Sequence, residues 1–291
     1  MSTVRRILKE HDIHPYKRLG QSFLEDKNII NKIIAAADIH EHDIVVEIGA
    51  GLGIMTAGLA AKARKLFAVD VDPRMAAILR ERLRDHGNVE IIEKDILTCD
   101  FSTFLSDQNS SKLKIIGNIP YNISTQILIH LIEFRRDIAS MLLLFQKEVA
   151  DRIIALPGTK EYGIPTVIVG MYAVARREMN VPASCFYPPP QVTSSLLNIE
   201  VREKPLVALA DDDFFRRIVK IAFSHRRKVL LNNLRVLVNE GYAEEELVLL
   251  MNGLGIEGRR RGETLSPREF GTLSNTLFNL KRKLVPVKVH E

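Results

Sequence analysis

Ile44-Val45-Val46-Glu47-Ile48-Gly49-Ala50-Gly51-Leu52-Gly53 reads as a strand, a glycine turn and the approach to a helix. Asp43 opens an apolar run of strand length, and the residues after Gly53 carry a helical pattern. Glycines at such a turn permit positive φ and let a ligand approach the backbone. A dinucleotide fingerprint would put its third glycine at position 54, where this chain has Ile54. The spacing is Glu-x-Gly-x-Gly-x-Gly instead, which favours S-adenosylmethionine over a nicotinamide cofactor.

The following segments repeat the theme of a strand ending in a polar residue. Leu66 to Val69 runs into Asp70, about twenty residues past the first glycine, where a carboxylate can accept hydrogen bonds from both hydroxyls of a ribose. Asp72-Pro73 suits a helix N-cap followed by proline in the first turn. Val89 to Ile92 runs out towards Asp95-Ile96, where an acid can accept from an adenine amino group while an apolar neighbour covers the ring. Asn118 ends a fourth strand. Singly, each acid also reads as a solvated strand end; in series they mark the carboxyl edge of an open α/β sheet, where ligands gather.

Asn118-Ile119-Pro120-Tyr121-Asn122-Ile123 adds a chemistry. The lone pair of an adenine N6 is delocalised into the ring, so a catalyst must hold that nitrogen by its hydrogens and aim it at an electrophilic methyl. An asparagine carbonyl can accept one hydrogen, and a carbonyl before or at a proline offers a second acceptor in a fixed direction. Tyr121 offers a flat face for a base. Taken alone, the same residues also read as a strand-to-helix turn punctuated by proline.

Together these pieces resemble the ribosomal RNA adenine N6-methyltransferase family, and within it the bacterial small-subunit rRNA adenine dimethyltransferases. The resemblance rests on Leu19 to Leu24, Glu47 to Gly53, Asp70 to Asp72, Asp95-Ile96, Asn118 to Ser124 and Phe186 to Ser194, and continues through Ala222 to Lys228 and Leu265 to Phe270. It implies a Rossmann-like class I methyltransferase domain, with a seven-stranded, mostly parallel sheet, and a smaller all-α C-terminal domain. It also implies that Gln21, with the backbone around Ser22 and Leu24, helps hold the methionine end of S-adenosylmethionine, that Gly49, Gly51 and Gly53 line the cofactor, that Asp70 takes its ribose, and that Asp95 and Ile96 take its adenine. Asn118, which would border the cofactor as well, and Pro120 would orient the target amine, and Tyr121 and Phe186 would sandwich the flipped base. The implied reaction is N6,N6-dimethylation of two adjacent adenosines in the 3'-terminal hairpin loop of 16S rRNA, within the 30S particle or its precursor, by a monomer without metal. The chain departs from the usual pattern at Ser22, commonly Asn; at Ala50, commonly Pro; at Asp70, commonly Glu; and at His225, where Gln is frequent.

Related activities fit less well. A macrolide-resistance methyltransferase of large-subunit rRNA shares Asn-Ile-Pro-Tyr, but the Pro188-Pro189-Pro190 run, the basic lead to Gln21 and Ser224 to Lys228 favour the small-subunit enzymes. A DNA N6-adenine methyltransferase would place an acidic or Asn residue before Pro-Pro-Tyr. A non-catalytic assembly or transcription factor would not need an intact Asn118, Pro120 and Tyr121, although enzyme and assembly roles can coexist.

At 291 residues the chain can hold one large core and a smaller domain, and its formal charge of +5 suits a polyanionic partner without proving one. The two cysteines, Cys99 and Cys185, have no metal or pairing spacing, so reduced thiols in a cytosolic protein are expected. Neither a membrane span nor a leader is evident. The methyltransferase domain is expected over residues 1–202 and a helical RNA-binding domain over 203–291, with a helix starting at Asp211-Asp212-Asp213 and apolar residues from Phe214 to Leu237 forming its core. Arg226, Arg227 and Lys228, with Arg259 to Arg261 and Lys281 to Lys283, are candidates for gripping phosphates; charged helix faces are also often merely solvated. Residues 28–37 read as a helix, 140–145 as a strand, and the arm over 5–18 as mobile until RNA or cofactor arrives.

Overall fold

The computed structural model describes residues 2–105 and 112–284; of the basic tail, the side chains of Arg282 and Lys283 lie outside the described residues. Two compact units emerge, Met1–Ala150 with Val174–Val201, and Asp151–Ala173 with Arg202–Glu291.

The first unit is a seven-stranded sheet. After α1 (Thr3–Glu10), β1 (Phe23–Leu24) and α2 (Lys27–Ala36) come β2 (Ile44–Ile48), α3 (Thr56–Ala60), β3 (Lys65–Asp70), α4 (Pro73–Arg82), β4 (Val89–Glu93), β5 (Leu113–Asn118), α5 (Ser124–Glu133) and β6 (Ile138–Gln146). The boundary between units falls within α6 (Lys147–Ile153); α7 (Ile164–Tyr172) belongs to the second unit, and β7 (Ala173–Val181), β8 (Phe186–Tyr187) and β9 (Ser194–Val201) return to the first. The sheet order is β4-β3-β2-β5-β6-β9-β7. Strands β4 to β6 of that order pair in parallel, and β6 pairs antiparallel with β9. Residues of β2 are buried throughout, as a central parallel strand covered on both faces requires. From β2 the chain steps outward to β3 and β4 and then returns to β5 on the other side of β2. That reversal makes a crevice at the carboxyl ends of β2, β3 and β5.

Local signals set the helices that frame the crevice. Asp26 caps α2 and Asp72 caps α4, each accepting a backbone N–H, with Pro73 in the first turn of α4. Of the arm over 5–18, the part up to Glu10 forms α1, capped by Ser2, whose Val4, Ile7 and Leu8 pack with Phe23, Leu52, Met75 and Ile78. An eight-residue helix is marginal alone, so the apolar surface offered by α4 and the glycine turn decides it.

The second unit is helical. Asp211 caps α8 (Asp212–Ala222), followed by α9 (Leu230–Leu234), α10 (Glu244–Gly253) and α11 (Pro267–Leu284). Phe215, Ile218, Val219, Leu230, Leu234, Leu237, Phe270, Leu273 and Leu277 are buried, and together they supply the all-α core that the sequence pattern implied. Residues 151–173 group with this unit and not with the sheet, contrary to a boundary at 202. The buried Tyr162 hydroxyl donates to the Leu265 carbonyl at 2.6 Å, and the Leu206 N–H donates to the Met171 carbonyl at 2.7 Å.

Candidate functional site

The crevice is built by two glycines and an acid. Gly49, at φ +70°, brings the end of β2 so close to β5 that a Cβ there would lie 2.9 Å from the Asn118 carbonyl oxygen. Gly51, at φ +54°, would press a Cβ to within 3.0 Å of the Phe23 ring. Asp70, at the end of β3, then fixes the turn: its Oδ2 accepts the Gly51 N–H at 2.8 Å and its Oδ1 accepts the Asp72 N–H at 2.9 Å. Burial raises the Asp70 carboxyl above its ordinary value, the Asp72 charge adds to this, and the backbone hydrogen bonds oppose it. A carboxylate oxygen has two lone pairs, so both oxygens retain capacity for a ligand's donors.

Beneath this turn, Glu47 is 1% exposed, and its Oε2 has no hydrogen-bond partner among the described residues. Burial first, and the Asp70 charge in addition, push its carboxyl up to about 8.

At the end of β5, the Asn118 Nδ2 donates to the Ser22 carbonyl at 2.8 Å. A carbonyl only accepts, so the amide nitrogen must face Ser22, and the Asn118 Oδ1 has no protein donor among the described residues. The Pro120 carbonyl accepts the Ile123 N–H at 3.3 Å and keeps its second lone pair. The Tyr121 hydroxyl lies 2.5 Å from the Ser194 Oγ, and Ser194 is fully buried at the start of β9. Burial raises the Tyr121 phenol, and the bond to Ser194 partly offsets the shift.

Apart from Glu47, Asp72 and Ser194, these groups face one open cleft. Gly49, Gly51, Asp70, Asp95, Ile96, Asn118, Pro120 and Tyr121 all line it, as do Gln21 and Ser22. Asp95 caps a short turn by accepting the Leu97 N–H at 3.0 Å and is exposed, while Ile96 is buried. The Gln21 side chain is turned to Tyr16 and Asp72, and the Ser22 hydroxyl donates to the Pro188 carbonyl at 2.7 Å, so both present their backbone to the cleft more than their side chains.

Three expected residues stand elsewhere. Leu24 borders a smaller adjoining cavity with Glu47 and Ile54. Gly53 faces the Leu79 side chain and is not part of the cleft wall. Phe186 pairs with Leu24 across β1 and β8, is 1% exposed and packs with Ile30, Ile116 and Leu196, so its ring belongs to the core and not to a base-binding face. His130 has its Nε2 3.0 Å from the Cys99 carbonyl and its ring edge on Phe101 and Phe134, a structural setting.

In the helical unit, Arg226 is engaged by Glu263 and by the Thr159 carbonyl, and Arg260 by Glu269. Arg227, Lys228 and Arg259 are exposed and have no carboxylate partner among the described residues. Sequence reading did not single out Ser194, Tyr16 or Arg74, and saw Asp72 only as a cap. Ser194 meets Tyr121 73 residues away, Arg74 the His14 carbonyl 60 away and Asp72 the Gln21 amide 51 away, while the close pairs Arg74 to Asp72 and Tyr16 to Gln21 are not announced by spacing alone.

Residues 14–277 match the model of a family described as ribosomal RNA adenine dimethylase. The chain is 46% identical over 277 residues to the ribosomal RNA small subunit methyltransferase A of Syntrophus aciditrophicus, covering 95% of this chain and 99% of the relative. It is 41% identical to the protein of the same name from Shouchella clausii, covering 95% and 94%. Among solved structures, a dimethyladenosine transferase from Plasmodium falciparum superposes with a TM-score of 0.77 at 27% identity, over 89% of this chain and 98% of that one. The 23S rRNA methyltransferase ErmE shares the fold, with a TM-score of 0.65 at 24% identity over 88% and 99%.

Proposed function

The chain belongs to the ribosomal RNA adenine dimethylase family, and from that premise we propose that it dimethylates N6 of two adjacent adenosines in the 3'-terminal hairpin loop of 16S rRNA, with S-adenosylmethionine as donor. Its substrate would be the small ribosomal subunit or its precursor, in the cytoplasm. No helix among the described residues is long and apolar enough to cross a membrane, and no cluster of metal-ligating side chains occurs among them.

The residues present suit the donor. Asp70 and Asp95 offer acceptors to ribose hydroxyls and an adenine amine, Ile96 offers an apolar cover, and the glycine turn leaves open backbone where a side chain would intrude. When bound, S-adenosylmethionine supplies an electrophilic methyl group. Everything else is asked of the protein. The observation that carries the reading is the Asn118 amide, whose nitrogen is spent on Ser22 and whose oxygen is thereby left for a donor in the cleft. The Asn118 Oδ1 and the Ile119 or Pro120 carbonyl would take the two hydrogens of the target amine, drawing its lone pair out of the ring and fixing its direction. Tyr121 would carry the flipped base on its face, held in place by Ser194. The methylated nitrogen is acidic and would lose its proton to water, so no strong base is required of the site, and the raised Tyr121 phenol keeps its own proton. Arg227 and Lys228 would meet RNA phosphates.

Incubation with labelled S-adenosylmethionine and unmethylated small subunits tests this directly. Two labelled positions, each carrying two methyl groups on adjacent adenosines of the terminal hairpin, are expected. Label confined to large-subunit rRNA, or none at all, would overturn the reading.

A further inference from the structure

Four side chains next to the cleft-lining residues 19–23 and 69–71 take no part in the steps proposed above. Asp72 is 2% exposed, and its carboxylate receives the Arg74 guanidinium in a fork, with Nε at 3.0 and 3.2 Å and Nη2 at 2.6 Å. The same guanidinium lies 3.5 Å from the centre of the Tyr16 ring, and its Nη1 donates to the His14 carbonyl at 3.3 Å. Gln21 closes the circuit: its Nε2 donates to the Asp72 Oδ2 at 2.8 Å, and its Oε1 accepts the Tyr16 N–H at 2.7 Å. Burial alone would raise the Asp72 carboxyl, but the bonds from Arg74 and Gln21 outweigh it and hold the group below its ordinary value. A planar, forked cation stacked on an aromatic ring is a geometry that arginine can fill and lysine cannot.

This circuit joins two parts of the chain that are distant in sequence. One is the start of α4, which follows directly from the Asp70 strand end. The other is the segment after α1, whose residues 19–23 form one wall of the cleft. Ser22, within that wall, is the residue that holds Asn118. Between α1 and β1 the chain has only a single short turn at Lys17–Leu19, and Tyr16, Arg18 and Gly20 are exposed. Ser22 and Phe23 are also held by Pro188, Asn118 and the pairing with β8, so it is residues 16–21 that the circuit fixes, and without it a donor entering the cleft would have to order them at the expense of affinity.

We propose that Arg74 and Asp72 are positioning residues for the donor site, latching residues 16–21 against the start of α4 so that the cleft wall is set before the donor arrives. The proposal rests on the reading of the cleft as a methyl-donor site. A latch of this kind acts on donor binding and on the exposure of the segment, and leaves the grip on RNA alone.

The test combines calorimetry with S-adenosylhomocysteine, RNA binding, and limited trypsin digestion of the full chain. Arg74→Ala is expected to weaken S-adenosylhomocysteine about tenfold, to leave the RNA dissociation constant unchanged, and to speed cleavage after Arg18 in the absence of ligand, with saturating S-adenosylhomocysteine slowing that cleavage again. Arg74→Lys should regain only a minor part of the loss. Asp72→Asn keeps a side chain able to cap α4 while removing the charge, so it should reproduce the Arg74→Ala effects and carries the test if Arg74→Ala fails to fold. The double variant should be no weaker than the weaker single one. Wild-type affinity together with an unchanged cleavage rate overturns the latch, as does an equal loss of ligand and RNA affinity with a lowered Tm, the mark of general destabilisation. The cleavage rate without ligand depends on the latch alone. A wild-type chain that bound no S-adenosylhomocysteine would therefore sink the donor-site reading while the latch was judged separately.

Discussion

Asp70 in the sheet unit and Glu269 in the helical unit both accept backbone N–H bonds, yet their surroundings drive them in opposite directions. Burial raises Asp70, and no cation faces it among the described residues. Burial would raise Glu269 as well, but Arg260 and Ser266 overcome it and hold the carboxyl low. In the helical unit, acids and cations are spent on one another. Arg217 with Glu240, Arg226 with Glu263 and Arg235 with Glu244 repeat the pattern, and Arg227, Lys228 and Arg259 are among the exposed cations that remain for a polyanion. In the cleft, Asp70 is held by backbone hydrogen bonds with no cation paired to it among the described residues, while Lys94 lines the wall beside Asp95. Such acceptors suit the hydroxyl and amine donors of the ligand proposed for the cleft, whereas the free cations of the helical unit suit the phosphates proposed for it. The lesson is that a residue's charge indicates function only after its partners are counted.

The strongest challenge to this contrast is Asn118→Ala. Loss of a preorganised acceptor is expected to lower kcat in single-turnover methylation by about 10² to 10³-fold, with S-adenosylhomocysteine affinity changing far less; near-normal turnover would mean that the acceptor amine is held elsewhere. Tyr121→Ala comes next. A base stacked on an aromatic ring is worth roughly 1–3 kcal/mol, so kcat/KM for rRNA should fall about 10- to 100-fold while donor affinity is kept, and Tyr121→Phe should retain most activity.

Glu47 sharpens the comparison through pH. Its carboxyl stands at about 8 in the folded chain against an ordinary 4.5, so the folded state keeps a proton that the unfolded state releases. Native stability therefore falls as pH rises from about 4.5 to about 8, because the buried group must ionise in the folded chain at the upper end. In Glu47→Gln that loss is absent. The Tm of the variant relative to wild type should climb across this window and level off beyond it; a difference independent of pH would show that Glu47 is not held protonated.

The smallest effects belong to the helical unit. Arg227→Ala with Lys228→Ala should reduce the slope of log K against log salt for RNA binding by about 1–2, in proportion to the number of phosphates no longer neutralised. Arg226→Ala should instead cost up to about 1 kcal/mol of stability, as for an exposed ion pair, with little change in slope. Equal salt effects from all three residues would erase the distinction between paired and free cations.

Much of the fold was legible because short-range rules govern it. The β2 run, the glycine turn, the acids at the ends of strands, the caps at Asp72 and Asp211 and the helical spacing from Phe214 to Leu237 each depend on neighbours within a few residues. The cleft-lining roles of Asp70, Asp95 and Asn118 followed from the same rules, since the residue after a strand must emerge at the sheet's edge. The helix in the first part of the arm was not foreseen because the apolar stripe of Val4, Ile7 and Leu8 is buried only against Met75 and Ile78. Phe186 was misplaced because an aromatic beside a proline run looks the same whether it faces a cleft or a core, and its pairing with Leu24 spans most of the sheet unit.

The amino-acid sequence by itself determined the alternation of strands and helices, the turn that admits a ligand and the chemical character of the edge where ligands collect, because propensity, capping and periodicity are local properties of the chain. Tertiary structure alone decided that residues 151–173 join the helical unit, that Ser194 steadies Tyr121, that Arg226 is spent on Glu263 and that Arg74 reaches back to Tyr16. Those outcomes turn on which side chains distant in sequence are brought within hydrogen-bonding or stacking distance, and only the packed chain fixes that.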